Sequence, residues 1–359
     1  MKGLHKVIYP FAPDQSGAVS VLYELGGLLV VVDAGGCTGN ICGFDEPRWQ
    51  QQKSAVFSAG LRDMDAILGR DELLVKKMAE AAEKMDLNFA ALIGTPVPAT
   101  IGTDYKAVAR MAEKAIGLPV LALDTNGIRW YDEGAEKAYL AIFDRFTKQD
   151  GERVPRSLGI LGATPLDLGS LDAPQRMRMK LQQQGWERIL CYGNGGTLSQ
   201  IKSAGRTEQN LVVSPSGLAA AQSLRKRFGT PYRCEYPDLN PCWETIAKDL
   251  VGKRTLIVHQ QIAANTLRKK ILQHGAADVT AATYFMQKPE LSEPQDLHLR
   301  EEDDFTNLVR TGKYDCILAD PAFRAAIPDY RGRFYAFPHF AVSGVLQGEE
   351  GSKAEGMVL

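Results

Sequence analysis

The feature that most constrains the fold is a regular alternation of short apolar runs with longer amphipathic stretches along the 359-residue chain. Near-continuous apolar runs of this kind are typical of parallel strands that are buried on both faces of a sheet. Several intervening stretches end at a glycine, such as Gly117, Gly185, Gly229 or Gly275, which supplies the left-handed residue that often follows a helix. The predicted strands occupy residues 28–33, 90–94, 120–124, 158–162, 189–192, 211–214, 255–259, 278–284 and 316–320.

Repeated strand–helix–strand units predict an α/β fold built from repeated Rossmann-like domains, each a doubly wound parallel sheet. The chain length favours two or three such domains. A polar stretch at 148–156, which contains Gly151 and Pro155, indicates a linker, and a fresh strand begins shortly after Gly252. We therefore predict domains at 1–150, 151–251 and 252–345, followed by a tail at 346–359. Ligands of such sheets bind beyond the carboxyl ends of the strands.

The composition excludes several classes of partner. A net charge of −1, from 42 basic and 43 acidic residues, provides no electrostatic footprint for nucleic acid or an anionic membrane. Lys2 and Lys6 are not followed by the apolar segment of a secretory signal, so we expect a cytoplasmic protein with reduced or metal-bound cysteines. The sequence has neither a G-x-x-x-x-G-K-[ST] loop nor a complete G-x-G-x-x-G fingerprint, which argues against ATP hydrolysis and NAD binding.

The most informative segment follows the first predicted strand. Cys37 and Cys42 are separated by four residues and lie among glycines that include Gly35, Gly36 and Gly39. Glycine allows the backbone to approach a bulky ligand closely, and thiolates are the usual ligands of iron–sulfur clusters. The spacing alone is a weak signal, because two small buried cysteines that close a turn would look the same. Since two thiols are half of a four-thiolate set, a two-fold dimer would complete it.

Several segments resemble the nitrogenase component 1 superfamily, which includes the nitrogenase molybdenum–iron protein, its cofactor-assembly scaffolds and related tetrapyrrole reductases. The resemblance extends from about Tyr9 to about Gly344. It is carried by the segments at 13–18 and 22–25, 36–39, 57–69, 94–104, 159–165, 210–213 and 229–232, in the same order as in the family.

The resemblance implies which residues hold the cluster. Cys37 matches the second of the family's cluster cysteines, whereas Gln15 stands at the first position and Thr95 or Pro96 at the third. Cys42 is additional and compensates. The expectation is therefore a single [4Fe-4S] cluster that bridges two subunits of a homodimer, rather than a cluster of the larger nitrogenase kind.

The resemblance also implies a substrate cleft and a redox partner. Ser214 stands where the family carries a cofactor cysteine, and His339 loosely matches its cofactor histidine. A nitrogenase-type cofactor is thus not expected, and Ser214 and His339 are the predicted catalytic residues of the cleft. The expected function is that of an electron-transfer reductase subunit, served by an ATP-dependent reductase of the iron-protein type, with an unidentified small-molecule substrate.

Two other functions stay open at this point: a scaffold on which a metal cluster is assembled, and a metal-free module that binds a small molecule. Cys191 and Cys316 lie in apolar strands and are predicted to be buried structural thiols. Cys234 and Cys242 match no zinc spacing, although a second metal site there is an alternative. The segment 193–197 fits either a ligand loop or a simple turn.

Overall fold

The computed structural model describes residues 5–148, 151–237 and 243–346. The first of three sheets has the strand order β2-β1-β3-β4, and all its pairings are parallel. Its strands are β1 (Gly27–Val31), β2 (Val56–Ser58), β3 (Phe89–Ile93) and β4 (Val120–Leu123). The accompanying helices are α1 (Asp14–Leu22), α2 (Gly36–Asn40), α3 (Asp63–Leu68), α4 (Asp71–Ala82), α5 (Pro96–Ile101), α6 (Tyr105–Ile116) and α7 (Tyr131–Phe146).

The second sheet has the order β6-β5-β7-β8 and is also parallel throughout. Its strands are β5 (Val154–Leu161), β6 (Arg188–Cys191), β7 (Thr207–Val212) and β8 (Tyr232–Cys234). Helices α8 (Pro165–Leu168), α9 (Ala173–Gln183), α10 (Leu198–Lys202) and α11 (Leu218–Phe228) connect them.

The third sheet is parallel, with five strands in the order β11-β10-β9-β12-β13. The strands are β9 (Arg254–Val258), β10 (Asp278–Thr283), β11 (Asp296–His298), β12 (Cys316–Ala319) and β13 (Arg333–Ala336). The helices are α12 (Trp243–Asp249), α13 (Gln261–Gln273), α14 (Glu302–Gly312) and α15 (Phe340–Ser343). The α/β prediction is confirmed, whereas the exact domain boundaries stay a prediction.

Helix α7 is the element around which the first two sheets are organised. Its residues Ala135, Ala138, Tyr139 and Ile142 are fully buried in one apolar cluster with side chains of both sheets. Helix α1 crosses α7 with backbone against backbone. An added Cβ at Gly17 would lie 1.7 Å from the carbonyl oxygen of Tyr131, so this crossing admits no side chain there.

The segment before α1 packs on the third sheet, far away in sequence. One carboxylate oxygen of Glu302, the first residue of α14, accepts backbone N–H groups from Lys6, Val7 and Ile8 at 2.8, 2.9 and 3.0 Å. Phe11 packs against aromatic rings that include Phe285 and Phe323. No helix within the described ranges combines the length and the apolar character that crossing a membrane requires.

Candidate metal centre

Asp33 fixes the segment that carries the two cysteines to the carboxyl end of β1. Its two carboxylate oxygens accept hydrogen bonds from the Thr38 backbone N–H at 2.8 Å and the Thr38 hydroxyl at 2.9 Å. The hydroxyl of Ser58, the last residue of β2, also donates to this carboxylate at 2.6 Å. The backbone of Gly35 has φ +120°, a conformation that favours glycine. The chain therefore passes directly from β1 into α2, next to the end of β2.

The cysteine segment is helical. Cys37 lies in α2, and Cys42 lies in a π-helical turn at Ile41–Asp45 that continues from it. The Asp33 carboxylate stabilises this short helix because it accepts an N–H group of the first turn, which has no partner within the helix.

Both thiols are partly buried at the surface of the apolar cluster that joins the sheets. Burial, with the nearby carboxylate of Asp33, raises the pKa of Cys37. Burial, with the carboxylate of Glu46, raises the pKa of Cys42. Thiolates, rather than thiols, are metal ligands. The free cysteines are therefore protonated at neutral pH, and a metal that binds them must displace two protons.

The glycines of this segment face open space. A Cβ added at Gly36, Gly39 or Gly43 would have no heavy atom within 4 Å, apart from the immediate backbone. Among the residues that the structure describes, no three His, Cys, Asp or Glu side chains are grouped to hold a metal ion. One chain thus offers room for a bulky group and two thiols. The donor set fits an iron–sulfur cluster when a second copy supplies the other half.

The two positions that lack the family's cysteine lie close to one another. An added Cβ at Gly127 would be 2.6 Å from the Pro96 ring and 3.3 Å from Oε1 of Gln15. Gln15 is 4% exposed, and its Oε1 has no hydrogen-bond partner. The Thr95 hydroxyl donates to the Val32 carbonyl at 2.7 Å. None of these side chains is a thiol, so Cys37 and Cys42 are the only cysteines of this sheet edge in the described part of the chain.

Exposed apolar side chains follow the carboxyl ends of β1, β2 and β3, around the cysteine segment. Their exposed fractions lie between 48% and 73%, which is unusual for such large side chains in one region. We call this set the apolar rim; it consists of Phe44, Met64, Ile67, Leu68, Val97 and Ile101. Sequence reasoning missed the rim, although the apolar residues of the short helix α3 were a visible signal.

The structure connects Ser214 and His339 through two residues that the sequence did not single out. The Tyr131 hydroxyl donates to Asp167 at 2.7 Å and is 2.8 Å from Nε2 of His339. The Ser214 hydroxyl is hydrogen-bonded to the same Asp167 carboxyl group. Tyr131 comes from α7, Asp167 from α8 and His339 from the segment after β13, so the network lies where the three sheets meet.

This network is closed. Ser214 and His339 are 0% and 1% exposed, and the His339 ring stacks on His259 with centroids 4.3 Å apart. Two small cavities, of about 30 and 10 Å³, lie beside Arg206 and Asn265, and neither is lined by Ser214 or His339. The side chains of these two residues are packed rather than open to a substrate. A catalytic role for them stays a prediction.

Burial determines the protonation states of the titratable residues in and around this network. It raises the pKa of Asp167 to about 6 and that of Asp132 to about 7, and it lowers the pKa of His259 to about 4. The pKa of His339 is also lowered well below its usual value, first by burial and then by His259. The histidines are therefore neutral at physiological pH. Nδ1 of His339 has no hydrogen-bond partner.

The other cysteines that the structure describes lie away from this sheet edge. Cys191 and Cys316 are fully buried, as predicted. Cys234 is partly buried at the end of β8, and burial raises its pKa to about 11. Cys242 lies outside the described residues, so the prediction that Cys234 and Cys242 are not metal ligands stays a prediction, with a second metal site as the alternative.

Comparisons with known proteins bear on the family and the fold of this chain. A family described as nitrogenase component 1 type oxidoreductase matches residues 15–237. A nitrogenase iron-molybdenum cofactor biosynthesis protein NifE of Methanococcus maripaludis is 27% identical over 204 residues, 54% of this chain and 40% of that protein. A NifE of Bradyrhizobium diazoefficiens is 24% identical over 181 residues, 49% of this chain and 32% of that protein.

Further matches include a nitrogenase molybdenum-iron protein alpha chain of Clostridium pasteurianum, 24% identical over 222 residues, 58% of this chain and 41% of the alpha chain. The chain thus spans well under half the length of these curated relatives. The solved structure "Nitrogenase Cp1 at pH 5" superposes with a TM-score of 0.71 over 96% of this chain and 86% of its own, at 15% identity, which shows a shared fold. Because the family match covers more than half of the sequence, this chain belongs to the nitrogenase component 1 type oxidoreductases.

Proposed function

We propose that this protein is a cytoplasmic iron–sulfur subunit of a nitrogenase-like reductase, which holds one [4Fe-4S] cluster between two copies of the chain. The observation that carries the proposal is the position of Cys37 and Cys42. They are two partly buried thiols on a glycine-rich helical segment within the apolar rim. Two thiols are half a ligand set, and an exposed apolar surface around them favours a partner that brings the other half.

The residues of this chain would have separate roles at the cluster. Cys37 and Cys42 would ligate the cluster, which supplies one-electron chemistry when bound. Gly35, Gly36 and Gly39 would bring backbone close to it, since no atom fills the space beside Gly36 and Gly39. The apolar rim would exclude water across the dimer contact and so influence the potential. An ATP-dependent reductase of the iron-protein type would supply the electrons.

A scaffold for cluster assembly is the second candidate. It is favoured by the matches to NifE, a protein named for cofactor biosynthesis. The closed network around Ser214 and His339 is compatible with a scaffold, because a scaffold needs no substrate cleft in this place. The reductase proposal predicts a cluster that stays bound while it is reduced and oxidised repeatedly. The scaffold proposal predicts a cluster that leaves for an acceptor protein and supports no turnover.

The proposal is tested by iron and acid-labile sulfide content after anaerobic purification, with EPR spectra of the dithionite-reduced protein. We expect about two irons per chain, because a four-iron cluster would be shared by two copies. Cys37→Ala and Cys42→Ala should each lose the iron and the EPR signal, since either change removes two of four ligands from the dimer.

Cys234→Ala is the matched control, because Cys234 is also partly buried but lies on the second sheet. It should retain iron and signal. Absence of iron from the reconstituted wild type would refute both the reductase and the scaffold proposals. A metal-free binding module on this fold would then be the remaining candidate.

A further inference from the structure

Arg48 is a buried arginine in the short 3-10 helix Pro47–Gln50, which follows the cysteine segment. Its Nε and Nη2 donate to the two carboxylate oxygens of Glu46, each at 2.7 Å, which is the paired geometry that makes such contacts strong. Nη2 also donates to the Ser20 carbonyl in α1 at 2.6 Å. The guanidinium lies over the Tyr23 ring, 4.6 Å from its centroid. A buried charge held by this many partners is costly to disturb.

Glu46 joins Arg48 to the turn that carries Cys42. Its backbone N–H donates to the Ile41 carbonyl at 2.8 Å and so closes the π-helical turn, while its side chain holds the guanidinium. Glu46 directly follows the π-helical turn that contains Cys42. The position of Cys42 and the charge at the end of its turn therefore both depend on this ion pair.

The same guanidinium reaches the second sheet. Nη1 donates to the Gly193 carbonyl at 3.0 Å and to Glu24 at 3.1 Å, and Glu24 in turn accepts the backbone N–H of Gly195. These glycines belong to the segment 193–197, which follows the carboxyl end of β6 and opens into α10. One side chain thus bonds α1, the cysteine segment and a glycine-rich turn of the next sheet.

We infer that Arg48 is a positioning residue for Cys42, which fixes the cysteine segment against the 193–197 turn and sets the charge beside the metal centre. This inference rests on the proposed cluster for its redox consequence. Arg48 compensates Glu46, so its loss leaves an unpaired negative charge near Cys42. Negative charge stabilises the oxidised form of a cluster and lowers its reduction potential, and the effect is large where water is excluded.

The first experiment measures the reduction potential of the cluster by EPR-monitored titration in the intact protein. Arg48→Gln should lower the potential, and Glu46→Gln, which removes the negative charge with little change of shape, should raise it. Shifts of opposite sign are not expected from mere loss of packing. If Arg48→Gln fails to fold, Glu46→Gln still decides the charge effect.

Arg227→Gln is the matched control. Arg227 also joins the first two sheets, through the Phe143 carbonyl at 3.1 Å and the Thr147 carbonyl at 2.9 Å, but it does so near the other end of α7. Its substitution should leave the potential unchanged. Retained iron with the same potential in Arg48→Gln, Glu46→Gln and wild type would overturn the charge effect.

A second experiment does not need the cluster. It therefore tests the positioning role of Arg48 separately from the proposed cluster-binding function. Amide hydrogen exchange of the cluster-free protein should become faster over residues 36–45 and 193–197 in Arg48→Lys, which keeps the charge but loses the paired contact. The matched change Arg227→Lys should leave both segments as they are. If the wild type binds no iron, this measurement still tests the positioning role, and unchanged exchange in Arg48→Lys would refute it.

Discussion

Two buried carboxyl groups, Asp132 and Asp167, predict an unusual dependence of the stability on pH. Burial raises the pKa of Asp132 from 3.8 to about 7, although its carboxylate accepts the Met286 backbone N–H. The folded chain therefore holds a proton that the unfolded chain has lost above about pH 4. The free energy of unfolding should accordingly receive a contribution that falls as the pH rises to about 7, by ~4 kcal/mol in total.

We predict that Asp132→Asn removes this contribution. Urea unfolding at several values between pH 4.5 and 7.5 should show a free energy of unfolding that declines less with pH in the variant than in the wild type. Asp144→Asn serves as the control, because the Asp144 side chain is largely exposed in an ion pair with Arg227. Equal slopes in wild type and Asp132→Asn would mean that Asp132 is ionised in the folded chain.

At the residue scale, the sequence singles out residues whose signal is local. Cys37 and Cys42 stand out because they are close in sequence and follow an apolar strand. Arg48 and Asp167 gave no such signal, since their partners lie far away along the chain. The contact of Arg48 with Gly193 spans 145 residues, and that of Tyr131 with His339 spans 208. No periodicity within a short window reports such contacts.

At the scale of elements, the crossing of α1 and α7 depends on two glycines. A Cβ at Gly17 would lie 1.7 Å from the Tyr131 carbonyl oxygen, and a Cβ at Gly134 would lie 1.8 Å from that of Asp14. Both obstacles are backbone, which cannot rotate away. We predict that Gly17→Ala and Gly134→Ala each lower the free energy of unfolding by roughly 3 kcal/mol, because the helices must separate. Chemical denaturation measures this.

The control is Gly43→Ala, because an added Cβ at Gly43 meets open space. The cluster-free variant should unfold within about 1 kcal/mol of the wild type, as expected for a substitution that disturbs no packing. Wild-type stability in Gly17→Ala would show that α1 can shift along α7 without loss.

The central strands were predictable, whereas four edge strands were not. Residues 28–32 and 90–93 are apolar throughout because both faces of β1 and β3 are buried. The missed strands β2, β8, β11 and β13 are three or four residues long and lie at sheet edges. Exposed or partly exposed residues interrupt them, as in β11 with the sequence Asp-Leu-His, so they carry no continuous apolar signal.

At the scale of the whole molecule, the apolar rim predicts the association of two chains. Ile67 is 73% exposed in α3, and Phe44 is 73% exposed beside Cys42. We predict that Ile67→Glu and Phe44→Glu convert the proposed dimer into a monomer and reduce the iron content, since a charge in the contact would lose its hydration. Light scattering coupled to gel filtration measures the mass of each variant.

The matched control is Leu272→Glu, because Leu272 is 46% exposed on α13 of the third sheet, away from the rim. It should retain the mass and the iron of the wild type. A wild-type protein that is monomeric with a full complement of iron would contradict the shared cluster.

The carboxylate of Glu302 has a consequence for how the chain is made. It accepts the backbone N–H of Ile8, which lies 294 residues away in the sequence, and the ring of Phe11 packs against Phe285 and Phe323. During synthesis at roughly 5–20 residues per second, the earliest of these residues emerge at least about 15 s before their partners exist. The segment before α1 must therefore wait, with apolar side chains uncovered, until the last of the three sheets leaves the ribosome. Chaperones have that interval in which to act.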